Sequence, residues 1–128
     1  ERCVMSGNKL FLDTNIILYL LNGDETLAEL LNGKQLYISV ITELELLAYK
    51  GITAEEEKII NEFVSQCKTI TITTAVKQET IRIRKTYNTK LPDSIIIATA
   101  LYLDLPLITS DIEFKKVEEL TLIHYEKN

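Results

Sequence analysis

A short apolar segment near the start of the chain ends at an acid. Leu10 to Leu12 form a strand-like run, Asp13 follows directly, and the apolar run from Ile16 to Leu21 is long enough for a helix. This order places the carboxylate of Asp13 at the carboxyl end of a strand. In open α/β sheets, ligands bind at that edge. The segment therefore predicts an α/β fold with a ligand site beside Asp13.

Short apolar segments alternate with helical ones along the rest of the chain. The predicted strands span residues 9–12, 36–39, 69–73, 107–109 and 120–125. The predicted helices span residues 14–22, 25–31, 42–49, 54–67, 75–87, 92–103 and 112–119. Such alternation is typical of a parallel sheet with helices on both faces. We therefore predict a three-layer α/β/α fold with a central parallel sheet of about five strands.

The composition favours one domain. The 128 residues are 46% hydrophobic and include only four glycines and two prolines, which suits a packed core with little linker. We assign residues 9–126 to one domain and residues 1–8 to an N-terminal tail, part of which precedes a natural start at Met5. The sequence shows no signal peptide and no membrane span. Cys3 and Cys67 lie far apart, so we expect a reduced, cytoplasmic protein without a zinc site.

Two acids directly follow predicted strands, and each also has a purely structural interpretation. Asp13 could cap the helix that follows it, and Asn15 could do the same. Asp111 comes just after the strand that ends at Thr109, where it or Ser110 could cap the next helix. Seen alone, neither acid requires a function.

Two further acids occur near predicted helix starts. Thr42 to Glu45 has the spacing of a capping box, and Glu43 points to another side of the same helix. Asp93 lies in the first turn of a helix, where its charge suits the helix dipole. That helix is apolar nearly all round and should be buried. An ionised acid at the mouth of a buried helix needs a partner, which could be a cation.

In the predicted topology these acids share one edge of the sheet. The set comprises Asp13, Glu45, Asp93 and Asp111. Gathered carboxylates repel one another unless cations lie between them, and carboxylate oxygens suit Mg²⁺ or Mn²⁺. Two such ions can activate a water and stabilise the leaving oxygen in phosphodiester hydrolysis. Bound cations would also explain how a chain of net charge −5 could act on a polyanion, since acidic proteins otherwise bind nucleic acids poorly.

Four motifs together resemble the PIN domain, the nuclease fold of VapC-type toxins from toxin–antitoxin pairs. The matching segments are residues 11–16, residues 42–46, residues 91–93 with 97–100, and residues 107–111 with Phe114. They cover nearly the whole domain in order and with fitting spacing.

The resemblance assigns roles to individual residues. It implies that Asp13, Glu45, Asp93 and Asp111 bind the metal, directly or through water. It implies that Asn15 and Thr109 orient these ligands. Glu43 is also followed by leucine, as the ligand is in the family, so it remains a possible substitute for Glu45. Ser110 stands where many relatives have a basic residue, which would weaken substrate or partner contacts.

The resulting prediction is a divalent-metal-dependent endoribonuclease, the toxin of a toxin–antitoxin pair. The resemblance implies products with a 5′-phosphate and a 3′-hydroxyl. The alternatives are a PIN-fold protein-binding module with little turnover and an orphan RNA-processing nuclease. Candidate phosphate contacts, which could equally form a solvated helix face, are Arg82, Arg84, Lys85, Lys90, Lys115 and Lys116. The sequence leaves open which RNA is cut and whether DNA is cut as well.

An excess of apolar residues in the first two helices predicts a protein partner. Residues 16–21 are all apolar, and Leu27, Leu30 and Leu31 follow. One helix face against a sheet cannot cover them all, so part of this surface should form an exposed patch of the kind that marks interfaces. The resemblance implies an antitoxin partner and a homodimer.

Overall fold

The computed structural model describes residues 8–127, and its centre is a five-stranded parallel sheet. The strands are β1 (Lys9–Leu12), β2 (Gln35–Ser39), β3 (Lys68–Ile70), β4 (Leu107–Thr109) and β5 (Leu122–His124). Their order in the sheet is β3-β2-β1-β4-β5. The predicted α/β class, the parallel sheet and its five strands are confirmed.

Six α-helices and one 3₁₀ helix connect the strands within residues 8–127. The α-helices are α1 (Thr14–Leu21), α2 (Glu25–Leu31), α3 (Val40–Leu47), α4 (Ala54–Ser65), α5 (Thr74–Tyr87) and α6 (Leu91–Leu103). The 3₁₀ helix spans Ile112–Lys116, where the sequence predicted a longer helix over residues 112–119. The longest helix, α5, has 14 residues, and none among residues 8–127 is long and apolar enough to cross a bilayer.

Strand β1 lies at the centre of the sheet, and both of its faces are buried. Phe11 pairs in register with Tyr37 of β2 and Leu107 of β4. Its ring joins a core cluster formed with α6 and the segment around Phe114. Leu10 and Leu12 belong to a second cluster on the other face, formed with α1, α2 and α4. Since successive strand residues face opposite sides, this four-residue strand packs against the helices on both faces of the sheet.

The strand order places a topological switch point between β1 and β4. From β1 the chain passes to β2 on one side, whereas β4 pairs with β1 on the other side. The helices that follow these strands therefore diverge and leave a crevice at the carboxyl ends. In open α/β sheets such a crevice is where ligands bind.

Helix α3 begins earlier than predicted. Ser39 is its N-cap and accepts a hydrogen bond from the backbone N–H of Ile41 at 3.1 Å. The predicted capping box of Thr42 and Glu45 is therefore wrong, because Thr42 already lies inside the helix and is buried. Glu45 consequently lies in the second turn, not the first. By contrast, α4 does begin with a capping box, which is formed by Thr53 and Glu56.

Strand β3 is shorter than predicted at its carboxyl end. It stops at Ile70, and the β-branched residues that follow leave the sheet. Thr73 instead caps α5, since its hydroxyl accepts a hydrogen bond from the N–H of Val76 at 3.2 Å. Local β propensity yields here to the start of the next helix.

The apolar excess of the first two helices is only partly exposed. Ile16, Ile17 and Leu27 are fully buried, so they contribute nothing to an exposed patch. The side chains of Leu18 and Leu30 are 38% and 43% exposed. Leu18 lines a cavity of about 110 Å³ together with Tyr49, Ile59 and neighbouring residues.

The remaining expectations concern the chain start and the cysteines. Of the predicted tail, residues 1–7 lie outside the described residues, as does Cys3. Cys67 is a free, partly buried thiol whose pKa is raised to about 11 by burial.

Candidate metal centre

Asp13 lies where β1 ends and α1 begins, and it is only 5% exposed. Its Oδ1 accepts a hydrogen bond from the backbone N–H of Thr14 at 2.8 Å, which makes it the N-cap of α1. Its Oδ2 accepts a 2.6 Å hydrogen bond from the hydroxyl of Thr109 at the end of β4. The capping role weighed from the sequence is therefore present, and the same carboxylate also faces the sheet edge.

Burial dominates the ionisation of Asp13. Removal from water raises its pKa to about 6, against the lowering effect of the hydrogen bonds from Thr109 and Thr14. The charges of Asp93 and Asp111 raise it further. A buried carboxylate that like charges also disfavour is unusual for a residue that serves only as a cap.

Asp93 occupies the first turn of α6, whose following residues are almost all buried. Burial is the largest cause of its raised pKa, followed by the charges of Asp111 and Glu45, while the charge of Lys90 opposes the rise. No side chain caps α6. Asp93 therefore stands at the mouth of a buried helix among other acids, as the sequence predicted.

Glu45 reaches the same group of acids from α3. Its Oε1 accepts a 2.7 Å hydrogen bond from the hydroxyl of Thr14. That hydroxyl also lies 3.0 Å from the buried hydroxyl of Thr42. Because a carboxylate only accepts, the single hydrogen of Thr14 goes to Glu45, and Thr42 must donate to Thr14. Two threonines thus fix the position of Glu45 relative to α1.

Glu45, rather than Glu43, acts on the other carboxylates. The charge of Glu45 contributes to the raised pKa of Asp93, and that of Glu43 does not. Glu43 lies in the first turn of α3 and is partly buried. Asn15, the other predicted supporting residue, is exposed in the first turn of α1.

Asp111 completes the set and caps the 3₁₀ helix. Its Oδ1 accepts a hydrogen bond from the N–H of Glu113 at 2.9 Å. Its own N–H donates to the hydroxyl oxygen of Thr109 at 3.0 Å. The same Thr109 hydroxyl donates to Asp13. One buried threonine therefore ties the backbone of Asp111 to the carboxylate of Asp13.

The donor set suits a hard divalent cation. All four side chains offer carboxylate oxygens, the ligands that Mg²⁺ and Mn²⁺ prefer. The charges of Asp93 and Asp111 raise the pKa of Asp13, and those of Asp111 and Glu45 raise the pKa of Asp93, so these groups lie close to one another. Within residues 8–127, however, no three Asp, Glu, His or Cys side chains already form a group that could hold a metal ion. The carboxylates are thus neighbours, but they do not converge on one metal position in this structure.

A cavity of about 320 Å³ opens beside these acids. Asp93 and Asp111 line it together with two of the predicted phosphate contacts, Lys90 and Lys116. Lys116 also lies 3.6 Å from Glu113 in an ion pair on the surface. Acids and lysines therefore share one opening at the predicted edge of the sheet.

The other predicted phosphate contacts lie elsewhere. Arg82 forms ion pairs with Glu79 at 2.7 Å and Glu119 at 2.9 Å. Arg84 donates a hydrogen bond to the backbone oxygen of Thr89. Lys85 and Lys115 are exposed, and neither these two nor the arginines line the cavity of Asp93.

Some residues of the site gave no signal of their own in the sequence. Thr14 and Thr42 lie within the matching motifs, but they are 28 residues apart in the chain, and their contact joins α1 to α3. Thr89 is buried and lies 2.5 Å from the hydroxyl of Ser94, which positions the turn before α6. Only the packed arrangement of helices reveals these partners.

Comparison with known proteins identifies the family to which the fold belongs. The sequence matches the PIN domain family over residues 10–120. A comparison with curated proteins found no match. A toxin–antitoxin complex from Klebsiella pneumoniae contains a chain with 29% identity and a TM-score of 0.80, covering 91% of this chain and 98% of that one.

Two DNA-bound complexes have the same fold. VapBC from Salmonella typhimurium is similar with 25% identity and a TM-score of 0.80, covering 91% of this chain and 97% of that one. VapBC2 from Rickettsia felis, bound to a promoter DNA fragment, matches with 21% identity and a TM-score of 0.79, covering 92% and 99%. With nearly its whole length matched, the chain belongs to the PIN domain family, the nuclease fold of VapC-type toxins.

Proposed function

We propose that this protein is a divalent-metal-dependent endoribonuclease and the toxin of a toxin–antitoxin pair. The observation that carries the proposal is the grouping of acids at the carboxyl edge of the sheet. The buried hydroxyl of Thr109 joins Asp13 to Asp111, and Asp111 lines the same cavity as Asp93. A fold held together by its core gains nothing from like charges in one crevice. Function explains their presence better than capping does.

The site residues have separate tasks in this proposal. Asp13, Glu45, Asp93 and Asp111 hold Mg²⁺ or Mn²⁺, directly or through water. A bound metal would supply positive charge next to the scissile phosphate and would lower the pKa of a water. Glu45 is exposed, and Asp93 and Asp111 are partly buried, so a cation from solvent can reach all three side chains.

Threonines orient the acids that hold the metal. Thr109 fixes Oδ2 of Asp13 and the N–H of Asp111, while Thr14 fixes Glu45. Each carboxylate oxygen has two lone pairs, so these hydrogen bonds leave acceptor capacity for a cation. Positioning partners of this kind commonly tune ligand affinity.

Lys90 and Lys116 are the best-supported phosphate contacts. They line the cavity of Asp93 and Asp111 and supply positive charge beside the acids. The RNA backbone is a polyanion, and this chain has a net charge of −5. Contacts from the two lysines would offset the repulsion between them. Arg82 is a weaker candidate because two glutamates already neutralise it.

An antitoxin is the expected protein partner. The relatives from Klebsiella pneumoniae and Salmonella typhimurium are toxin–antitoxin complexes. On this chain the apolar cavity of Leu18, Tyr49 and Ile59 offers a surface for such a partner, since exposed apolar patches mark interfaces. A homodimer would bring two acid clusters and their lysines to one RNA.

Cleavage of RNA by purified protein tests this function. The substrate is end-labelled single-stranded RNA, with Mn²⁺, with Mg²⁺, or with chelator. We expect cleavage only with metal, loss of cleavage in Asp93→Asn, and unchanged cleavage in the matched control Asp104→Asn, an exposed residue at the end of α6. Partner binding without metal-dependent cleavage by the unsubstituted protein would instead favour a PIN-fold binding module.

A further inference from the structure

A second cavity opens on the other side of Asp111. It has a volume of about 530 Å³, and its lining includes Tyr19, Ser110, Asp111, His124, Tyr125 and Lys127. Asp111 also lines the cavity of Asp93, Lys90 and Lys116. The two cavities therefore meet at a residue of the acid cluster, and a strand that crosses this cluster would extend into both.

The second cavity brings a cation and an aromatic ring together. The Nζ atom of Lys127 lies 5.7 Å from the centroid of the Tyr19 ring. The hydroxyl of Tyr19 lies 3.3 Å from the hydroxyl of Ser110. An aromatic ring next to a cation and a hydroxyl is the combination that holds single-stranded nucleic acids, since bases stack on the ring and phosphates bind the cation.

The aromatic wall of this cavity is held in place. Tyr125 donates through its N–H to the backbone oxygen of Thr109 at 2.8 Å. Its hydroxyl lies 2.9 and 2.8 Å from the two carboxylate oxygens of Asp24. Asp24 is in turn the N-cap of α2, accepting from the N–H of Leu27 at 3.0 Å. Tyr125 therefore links the end of the sheet to α2, and Lys127 comes two residues later.

From this arrangement we propose that the second cavity binds the RNA nucleotide next to the scissile phosphate. The base stacks against Tyr19, Lys127 contacts the adjoining phosphate, and Ser110 and His124 offer hydrogen bonds to phosphate or sugar. Lys90 and Lys116 then contact the strand on the far side of Asp111. This inference rests on the proposed ribonuclease function and assigns it a single-stranded substrate, because stacking needs an unpaired base.

Lys127 also supplies the cation that position 110 does not. Ser110 is uncharged, and the sequence predicted weaker substrate contacts there. In the fold, the side chain of Lys127 lies over Tyr19, whose hydroxyl contacts Ser110. A residue 17 positions later in the chain thus brings positive charge to the same cavity.

Two substitutions test the subsite. Lys127→Gln removes the cation at an exposed position, and Tyr19→Leu removes the aromatic face but keeps an apolar side chain where Tyr19 packs against the core. Their matched controls are Lys58→Gln and Tyr102→Leu, exposed positions on α4 and α6 that line neither cavity. Glu126→Gln, in the same cavity, removes a charge of opposite sign.

The readouts are steady-state cleavage of single-stranded RNA and fluorescence anisotropy of labelled RNA in the Asp93→Asn background. We expect Tyr19→Leu to weaken binding about 10-fold or more and to raise KM more than it lowers kcat. Lys127→Gln should reduce the slope of log Kd against log salt by about 0.7. Glu126→Gln should bind as tightly as the parent protein or more tightly.

The outcomes separate this subsite from the function on which it rests. RNA cleavage by the unsubstituted protein, together with control-like binding by both Tyr19→Leu and Lys127→Gln, would overturn the subsite and leave the nuclease intact. Equal losses on single-stranded and duplex RNA would also overturn it, because paired bases cannot stack on Tyr19. An unsubstituted protein that neither binds nor cuts RNA would refute the function itself. If Tyr19→Leu does not fold, Lys127→Gln still decides the charge contact.

Discussion

The hydroxyl of Thr109 donates a 2.6 Å hydrogen bond to Oδ2 of Asp13, and this bond joins the carboxyl ends of two neighbouring strands. Both side chains are buried. The bond holds a carboxylate that burial and neighbouring charges would otherwise drive towards protonation. It makes Thr109 a positioning residue rather than a catalytic one, since it acts through Asp13.

Removal of this hydroxyl should impair the site more than the fold. In Thr109→Val, Asp13 and the N–H of Asp111 both lose a partner, so we expect a stability loss of roughly 1–3 kcal/mol. Because the bond lowers the pKa of Asp13, its loss should move the rising limb of the pH–activity profile to higher pH. Kinetics between pH 5 and pH 8 measure this shift.

Two comparisons make the Thr109 test specific. Thr109→Ser retains a hydroxyl and should restore the profile. Thr99→Val removes another buried threonine, whose hydroxyl donates only to the backbone oxygen of Ile95 at 2.6 Å, and it should cost stability without moving the profile. An unchanged profile in Thr109→Val would show that the bond does not tune Asp13.

The stability of the metal-free protein should depend on pH through Asp13. Its pKa of about 6 exceeds the ordinary value of 3.8, so folding favours the protonated form. Asp13 therefore destabilises the fold fully above pH 6, and this effect is relieved as the pH falls from 6 towards 4. The full effect is on the order of 3 kcal/mol. Asp13→Asn should accordingly be the more stable protein at pH 7.5.

The pKa of Asp24 is shifted in the opposite direction from that of Asp13, so Asp24 should stabilise the fold at neutral pH. Its pKa is lowered, chiefly by the hydrogen bond from the N–H of Leu27, so its contribution is present above pH 4 and is lost as the pH falls below that. Urea unfolding of Asp13→Asn and Asp24→Asn between pH 3 and pH 8, with chelator present, measures the contribution of each residue and the onset of the loss at Asp24. The same sign of change in both variants would contradict the assignment of Asp13.

Loss of Asp93 should separate function from stability. Asp93→Asn removes one charge from a group of like charges, so we expect stability equal to or above that of the parent protein, with cleavage abolished. Thermal unfolding and RNA cleavage on the same preparation check the pair of effects. Unfolding at ordinary temperature would show that Asp93 serves the helix rather than a reaction.

The apolar cavity of Leu18, Tyr49 and Ile59 should bind the antitoxin. Leu18→Gln places an amide in the cavity of Tyr49 and Ile59, and since Leu18 is already 38% exposed, stability should change little. Leu30→Gln, an exposed leucine outside that cavity, is the control. Co-purification with a small protein encoded beside the gene should weaken only for Leu18→Gln, and light scattering at micromolar concentration reports whether the chain dimerises.

The sequence predicted the strands and the acids beside them because each carries a local signal. Asp13 follows β1 directly, and Asp111 comes two residues after β4; both strands end where predicted, at Leu12 and Thr109. Parallel topology alone then brings both to one edge. For the same reason the position of Asp93 in the first turn of the buried helix α6 could be predicted without knowledge of side-chain packing.

The start of α3 could not be predicted, because two candidate caps lie three residues apart. Ser39 and Thr42 are both acceptable N-caps, and the choice depends on where β2 leaves the sheet. Ser39 lies in register with Ile70 of β3, so β2 remains paired up to its last residue and the helix starts at once. Thr42 is thereby freed to contact Thr14.

Long-range contacts explain what else was missed. Tyr19 and Lys127 are separated by most of the chain, and their contact depends on where β5 ends relative to α1. The sequence did not show which leucines of α2 would be exposed: Leu27 is fully buried in the cluster formed with α1 and β1, whereas Leu30 is 43% exposed. In both cases the outcome depends on packing between elements, which periodicity within one helix does not specify.

Anomalous diffraction from crystals soaked in Mn²⁺ tests the central claim most directly, because it locates the cation without reference to activity. We predict at least one Mn²⁺ peak within ligand distance of carboxylate oxygens from Asp13, Asp93 and Asp111, with the side chains of Asp93 and Asp111 turned towards it. The peak should be absent in Asp93→Asn crystals and present in Asp104→Asn crystals. A fully soaked parent crystal with no peak at these acids would contradict the claim that they form a metal centre.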